Sequence, residues 1–140
     1  MKKFLFIFLL VFVALGCDKQ KKHAKQMNGT WTIYSYTQIT GVGFRTEFPA
    51  QGTITFEDLG NANLNYIEDF SYKDSANWIP VNRSGDLTIV GEKSKSFELT
   101  FTSPVNSETV SNTIHVVSKD DLKIQFQENG IGHLFVLTKN

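Results

Sequence analysis

The sequence predicts an all-β protein in which about eight antiparallel strands form an up-and-down meander that closes into a small barrel. Three observations lead to this fold class. Runs rich in Thr, Val, Ile, Phe and Tyr recur every eight to twelve residues, apolar and polar residues alternate within the runs, and short segments of turn-forming residues separate them. Helical periodicity is almost absent from the same region.

The β-rich region contains nine candidate strands. In chain order they are Trp31–Thr40, Gly52–Glu57, Ala62–Phe70, Asn77–Val81, Asp86–Val90, Ser96–Thr102, Thr109–Val117, Leu122–Gln127 and Ile131–Thr138. The count falls to eight if one neighbouring pair is continuous. The 114 residues of Met27–Asn140 suffice for a single domain with its own core, and no second domain fits.

Alternation within the strands predicts which side chains enter the core. Ile54 and Phe56, for example, alternate with threonines, as expected of antiparallel strands that bury one face. The same parity sends large rings to the interior from several strands: Phe56, Phe97, Phe101, Phe126 and Phe135. These rings could fill a small barrel, so a tight or absent cavity is one expectation.

Short connections predict sequential hairpins. Asp58–Asn61, Ser118–Asp121 and Glu128–Gly130 are rich in turn formers. A meander of such hairpins removes its exposed edges by closing on itself. The alternative is an immunoglobulin-like sandwich, which would show long crossovers between two sheets in place of consecutive hairpins.

Residues 1–16 predict a secretory signal peptide. Lys2 and Lys3 precede an apolar run of twelve residues, Phe4–Leu15. A membrane-spanning helix needs about 20 apolar residues, so this run is too short to remain as an anchor. It ends in Ala14-Leu15-Gly16-Cys17, which resembles the lipobox of bacterial lipoproteins, although Ala14 stands where that motif usually has leucine. The resemblance implies cleavage before Cys17 and covalent lipid on its thiol.

Cys17 is the only cysteine, so no disulfide can form within the chain. An ordinary signal peptide cut nearby, leaving a free thiol, is the alternative. Two or more acyl chains hold a protein stably on a bilayer. We therefore expect a cell-envelope protein that is lipid-anchored to a membrane, with the outer membrane favoured over the inner one. Asp18 resembles the inner-membrane retention signal of enterobacterial lipoproteins, a sorting rule that does not extend to all bacteria.

Residues 17–26 are interpreted as the lipidated cysteine and a flexible, lysine-rich tether. The segment contains Lys19, Lys21, Lys22 and Lys25, and its largest apolar residue after Cys17 is Ala24. The lysines could contact anionic lipid headgroups, although a plain spacer is the simpler interpretation.

The charge distribution argues against nucleic-acid binding. Six of the 14 basic residues and one of the 14 acidic residues precede Met27, so Met27–Asn140 carries 8 basic and 13 acidic residues. The predicted domain is therefore acidic, and Arg45 and Arg83 are its only arginines. Nucleic-acid binding requires a positive surface that displaces counterions.

The predicted domain opens with Asn28-Gly29-Thr30-Trp31, continues with Gly52-Thr53-Ile54-Thr55-Phe56 followed by Gly60, and closes with Leu134–Lys139. Together these segments resemble lipocalins and the lipocalin-like, calycin-type domains of small envelope lipoproteins of Bacteroidota. The resemblance implies a barrel with Trp31 at its closed end, Gly29 in the same structural motif, and Lys139 over the indole ring as a cation–π partner. The family's middle signature, T-D-Y, is missing, and Lys139 replaces an arginine, so ligand residues cannot be transferred.

Motifs for catalysis or metal binding are absent from the sequence. No G-x-S-x-G, H-E-x-x-H or Gly-rich phosphate loop occurs. Glu68 and Asp69 are adjacent on one strand and so point to opposite faces, while His115 and His133 lack a third ligand in register. We expect no enzymatic activity, no metal, and no cofactor apart from the covalent lipid on Cys17.

Aromatic residues outside the presumed core are the candidate contacts for a ligand or a partner: Tyr34, Tyr36, Tyr66, Tyr72 and Trp78. Aromatic side chains with few charges suit either the lining of an apolar pocket or a protein-binding patch. One hypothesis is a membrane-anchored envelope lipoprotein that binds a small apolar ligand. The other is a protein interaction module of the envelope, such as an assembly subunit or a toxin-neutralising protein, with a filled barrel.

Overall fold

The computed structural model describes residues 19–90, 96–101 and 108–139, and over 96–101 and 108–117 it describes chiefly the backbone. The predicted signal peptide and Cys17 lie outside this part of the chain. Within it, no helix is long and apolar enough to cross a membrane.

Nine antiparallel strands make up the described structure. They are β1 (Gly29–Thr40), β2 (Phe44–Phe48), β3 (Ala50–Gly60), β4 (Asn63–Asp74), β5 (Asn77–Val90), β6 (Ser96–Phe101), β7 (Glu108–Val117), β8 (Asp121–Glu128) and β9 (Ile131–Lys139). From β3 to β9 each strand pairs with the next in the chain, and β1 pairs with β9. The predicted all-β meander that closes into a barrel is confirmed, and the sandwich alternative is excluded.

Closure depends on a bend between β2 and β3. One edge of β1 pairs with β3 over Gly29–Thr32 and with β2 over Tyr36–Thr40. Only Pro49 separates β2 from β3, and proline has no N–H to donate to a ladder, while its carbonyl accepts a bond from Lys73 N at 2.8 Å. β2 and β3 therefore act as one bent strand beside β1, so the nine strands form a barrel of eight positions.

Two strand predictions differ from the structure. The segments Asn77–Val81 and Asp86–Val90 belong to one continuous β5, because the intervening residues pair with β4 without interruption. The prediction also missed β2, whose Phe44, Arg45 and Glu47 are exposed and which follows a turn containing two glycines. An edge strand without a buried face gives no alternation to detect.

The tether prediction is wrong for the segment that the structure describes. Residues 19–27 are helical, and Ala24 and Met27 are buried in the barrel core. Asn28 N donates to Ala24 O at 3.0 Å, which ends the helix directly before β1. Burial of Ala24 and Met27 stabilises this short helix against the barrel, so the segment is not a solvated spacer.

One end of the barrel is closed by Trp31 and this helix. Trp31 is fully buried, and its Nε1 donates to Met27 O at 2.6 Å. Lys139 Nζ lies 5.0 Å from the centroid of the Trp31 ring and donates to Asn28 O at 3.0 Å. We call this end the floor and the opposite end, reached by Tyr36–Thr40 of β1, the open end.

A bulge in β1 sets which tyrosine enters the barrel. Opposite β9, Ile33 pairs with Leu137 and Ser35 pairs with Val136, so Tyr34 is an extra residue. Tyr34 is 78% exposed, whereas Tyr36 is 2% exposed. Without the bulge, strict alternation from Ile33 would place Tyr36 on the outer surface.

Candidate functional site

A network of polar side chains lies inside the barrel, in the half away from Trp31. Five strands contribute to it: Tyr36 and Gln38 from β1, Tyr66 and Glu68 from β4, Arg83 from β5, Glu128 from β8 and His133 from β9. Charged groups are rarely buried unless they are paired, so such a set inside a small core is the most unusual feature of the described structure.

Arg83 joins two carboxylates at the centre of the network. Its Nε donates to Glu68 Oε2, and its Nη1 donates to both oxygens of Glu128 at 2.9 and 2.7 Å. The hydroxyl of Tyr66 donates to the other oxygen of Glu68 at 2.6 Å. Glu68 is fully buried, and these bonds satisfy both of its oxygens.

A second chain of hydrogen bonds links the network to β1. Gln38 Nε2 donates to the Tyr36 hydroxyl at 2.9 Å, and this hydroxyl lies 2.9 Å from His133 Nδ1. The hydroxyl has one proton and two lone pairs, so the tautomer of His133 decides whether the hydroxyl donates to Nδ1 or accepts from it. His133 Nε2 then faces Glu128, whose Oε2 lies 4.0 Å away.

Burial shifts the protonation equilibria in the network. Desolvation lowers the pKa of His133 to about 4, helped by the charge of Arg83, so the imidazole is neutral at neutral pH. Desolvation raises the pKa of Glu68, although the bonds from Arg83 and Tyr66 oppose this. Burial also raises the pKa of Tyr36 to about 12.

Aromatic rings surround the Tyr36 side of the network. The Tyr36 ring lies 4.8 Å from the centroid of Phe135, 5.2 Å from Tyr72 and 5.4 Å from Phe70. Phe48 completes this group, which we call the aromatic cluster, at 6.2 Å. Phe48 and Tyr72 are only partly buried, so the cluster reaches the surface at the open end.

Three side chains of the polar network are partly exposed to solvent. The side chains of Arg83, Glu128 and His133 are 27%, 15% and 14% exposed. Deeper in the barrel, the fully buried Phe56, Tyr66 and Phe126 occupy the interior. In the region with described side chains, the barrel is thus filled near its middle and accessible at one end.

The structure divides the five candidate contact residues into two groups. Tyr36, Tyr66 and Tyr72 lie in the barrel interior or at its open end, in the network and the aromatic cluster. Tyr34 lies on the outer surface beside Pro49, and Trp78, 45% exposed, lies near the β4–β5 turn. Tyr34 and Trp78 do not contribute to the interior site.

Gly29 lies beside the Trp31–Lys139 pair at the floor. Its φ is +121°, and a Cβ at this position would lie 3.3 Å from Lys139 Cε. Glycine thus provides both the backbone conformation and the space for the lysine stem to cross the ring.

Sequence reasoning missed five network residues: Gln38, Glu68, Arg83, Glu128 and His133. Each lies on the same face of its strand as that strand's buried residues; Glu68, for example, shares its face with Tyr66 and Phe70. Asp69 is exposed, so Glu68 and Asp69 point to opposite faces as predicted. Among the described residues, no group of three His, Cys, Asp or Glu side chains is arranged to hold a metal ion.

Comparisons with known proteins identify the fold. No protein family matches the sequence, and no curated protein sequence matches it. Among solved structures, a redesigned β-barrel bound to DFHBI has a TM-score of 0.58 at 17% identity, covering 84% of this chain and 98% of that chain. A de novo designed fluorescence-activating β-barrel has a TM-score of 0.54 at 17% identity, covering 84% of this chain and 96% of that chain. These neighbours show a β-barrel fold, in agreement with the closed meander.

Proposed function

We propose that this protein is a lipid-anchored lipoprotein of the bacterial cell envelope whose barrel binds a small, largely apolar ligand at the open end. One observation carries the binding proposal: aromatic rings and a partly exposed polar network converge at the end opposite a closed floor. Ligand sites are typically concave and apolar with a few oriented polar groups.

The aromatic cluster provides the apolar contacts of the proposed site. A ligand enters beside Phe48 and Tyr72, which are partly buried, and packs against Phe70 and Phe135. The Tyr36 hydroxyl and the Glu128 carboxylate then fix its polar group. The designed barrel bound to DFHBI supports this proposal, since a barrel of similar fold holds a small ligand.

Binding is tested with the acylated protein purified from membranes. Native mass spectrometry detects a co-purifying molecule, and titration with a fluorescent apolar probe measures affinity. Tyr72→Ala is expected to weaken probe binding by at least about fivefold, because an aromatic contact of this kind contributes more than about 1 kcal/mol. Tyr34→Ala, an exposed tyrosine outside the barrel, is the matched control and leaves affinity unchanged. Equal affinities in all three proteins would refute a site at the open end.

A filled barrel that binds another protein is the second candidate. The observation that favours it is the full burial of Phe56, Tyr66 and Phe126 in the middle of the barrel, together with exposed Phe44 and Trp78 outside it. Crosslinking in envelope preparations would then identify a partner that is lost on Trp78→Ala. Retained crosslinking together with Tyr72-dependent probe binding would favour the small ligand instead.

The lipid anchor rests on the N-terminal sequence. Metabolic labelling with an alkyne-palmitate analogue is expected to mark the protein, and Cys17→Ser is expected to abolish the label, because a serine hydroxyl is a far weaker nucleophile than a thiol at neutral pH. Labelling that persists in the Cys17→Ser variant would refute acylation at this residue.

A further inference from the structure

The helix of residues 19–27 has two chemically distinct faces. At 100° per residue, one face packs on the barrel floor and contains the buried or half-buried residues Gln20, His23, Ala24 and Met27. Lys22 and Lys25 lie on the opposite face, and the exposed Lys19 and the half-buried Lys21 flank it; we call these four residues the lysine face. No carboxylate occurs within residues 19–27, so this lysine face carries four positive charges.

The helix is fixed to the barrel. Met27 is fully buried and its carbonyl accepts the bond from Trp31 Nε1, while Asn28 Oδ1 accepts a bond from Asp58 N at 2.9 Å. The lysine face therefore has a defined direction, away from the floor. Cys17 precedes Lys19 by two residues, and a chain extends at most about 3.6 Å per residue, so acyl chains on Cys17 start within roughly 7 Å of the helix.

We propose that the lysine face docks on anionic lipid headgroups, so that the barrel floor faces the membrane and the open end points away from it. The orientation rests on the lipid anchor of the proposed function. Each lysine close to an anionic bilayer increases partitioning by about fivefold. Exposed carboxylates lie at the same end: Glu57, Asp58, Asp120 and Asp121. These four carboxylates face six lysines, the four of the helix together with Lys119 and Lys139, so this end keeps a positive excess.

The remainder of the domain supports the same orientation. Met27–Asn140 carries 8 basic and 13 acidic residues, so an anionic surface repels it while attracting the helix. Exposed carboxylates such as Glu47, Asp69 and Asp74 lie in the half that includes the open end. A charge distribution with one basic end and an acidic remainder orients a tethered protein on an anionic bilayer.

Orientation is measured with nitroxide labels on the acylated protein in vesicles of phosphatidylglycerol and phosphatidylcholine. Acylation consumes the only natural thiol, so Leu59→Cys near the floor and Val42→Cys at the open end can each be labelled selectively. The β1 strand, tilted as in other barrels, separates these ends by on the order of 30 Å. The Leu59→Cys label is expected at headgroup depth and the Val42→Cys label in bulk water.

Paired charge substitutions test the role of the helix. Lys22→Gln/Lys25→Gln is expected to release the Leu59→Cys label from the headgroups, whereas Arg45→Gln/Lys73→Gln, with the same change in net charge at the open end, is not. Equal depth of the two labels, or equal behaviour of the two double variants, would overturn the proposal.

Mass spectrometry of the mature protein shows whether Cys17 carries lipid, so failure of the lipid anchor can be told apart from failure of docking by the lysine face. If Cys17 is not acylated, the anchor proposal fails, and docking is then read from cosedimentation of the mature protein with the same vesicles. The helix double variant is expected to partition about 25-fold more weakly than the control double variant on phosphatidylglycerol vesicles. Equal partitioning would overturn docking by the lysine face.

Discussion

Replacing Arg83 with methionine should destabilise the barrel in a pH-dependent manner. Methionine retains much of the side-chain volume but removes the donors to Glu68 and Glu128. Glu68, which is fully buried, then keeps only the bond from the Tyr66 hydroxyl at 2.6 Å. In the variant, no cation remains among the two side chains that bond Glu68 in the native network.

The magnitude follows from the burial of the pair. Removing one partner of a buried ion pair costs about 3–5 kcal/mol, because the remaining charge is uncompensated. The Arg83 side chain is 27% exposed and Glu68 can take up a proton, so we expect the lower end of that range at pH 7.5. For a domain of this size, about 3 kcal/mol lowers the Tm by roughly 12 °C.

The pH dependence has a defined sign. Desolvation already raises the pKa of Glu68 in the folded state, and loss of Arg83 raises it further. The folded variant therefore holds a proton that the unfolded chain releases, and its stability falls as pH rises between the unfolded and folded pKa values, by up to about 1.4 kcal/mol per pH unit. The destabilisation should be smaller at pH 5 than at pH 7.5.

Urea unfolding at pH 5 and pH 7.5 measures both effects. Arg45→Met, which removes an exposed arginine of β2, is the control and should change stability by less than about 0.5 kcal/mol. Adding Glu68→Gln to Arg83→Met should remove most of the pH dependence. A loss that is the same at both pH values, or the same in Arg45→Met, would refute the argument that an unpaired buried carboxylate causes it.

Three further predictions concern the imidazole, the floor and a close strand contact. Since the pKa of His133 is lowered to about 4, stability should fall as pH drops from about 6.5 toward 4, and NMR titration of the ring should show no protonation above pH 5.5. Lys139→Met should cost about 1 kcal/mol and change Trp31 fluorescence, which urea unfolding and emission spectra check. Gly52→Ala should cost more than about 3 kcal/mol, because its Cβ would lie 2.5 Å from Asp69 O at a φ of +120°, whereas Gly60→Ala, with φ +85° and open space, should cost about 1 kcal/mol. Similar urea midpoints for the two glycine variants would contradict this last argument.

Much of the barrel could be predicted because period-two alternation reports directly on a half-buried strand. β2 could not be found in this way, since its first four side chains are exposed and its position depends on the bend at Pro49. The helix of residues 19–27 could not be predicted either. It adds only two apolar residues to the core, Ala24 and Met27, and its stability comes from packing on the floor.

The alternation of buried and exposed residues already placed members of the polar network on the inner faces of their strands, although their role was not predicted. Glu68 and Arg83 occupy buried positions of their strands, and a charged residue at such a position signals an internal partner on a neighbouring strand. The position of Tyr36 could not be derived by parity, since the bulge at Tyr34 shifts it from the outer to the inner face. A bulge is set by the pairing of two distant strands, β1 and β9, and no local pattern reveals it.

The network also constrains how the strands can be aligned during folding. Glu68 of β4 pairs in register with Arg83 of β5, and the neighbouring pair, Asp69 and Asn82, faces outward. A slip of β4 by one residue would turn Glu68 to solvent and place either Ile67 or the shorter Asp69 opposite Arg83. Hydrophobic residues alone discriminate poorly between such alignments in a long hairpin, since Ile67 and Tyr66 are both apolar. The pair of Glu68 and Arg83 therefore raises the free energy of misaligned barrels relative to the native one, and so favours one alignment among many compact alternatives.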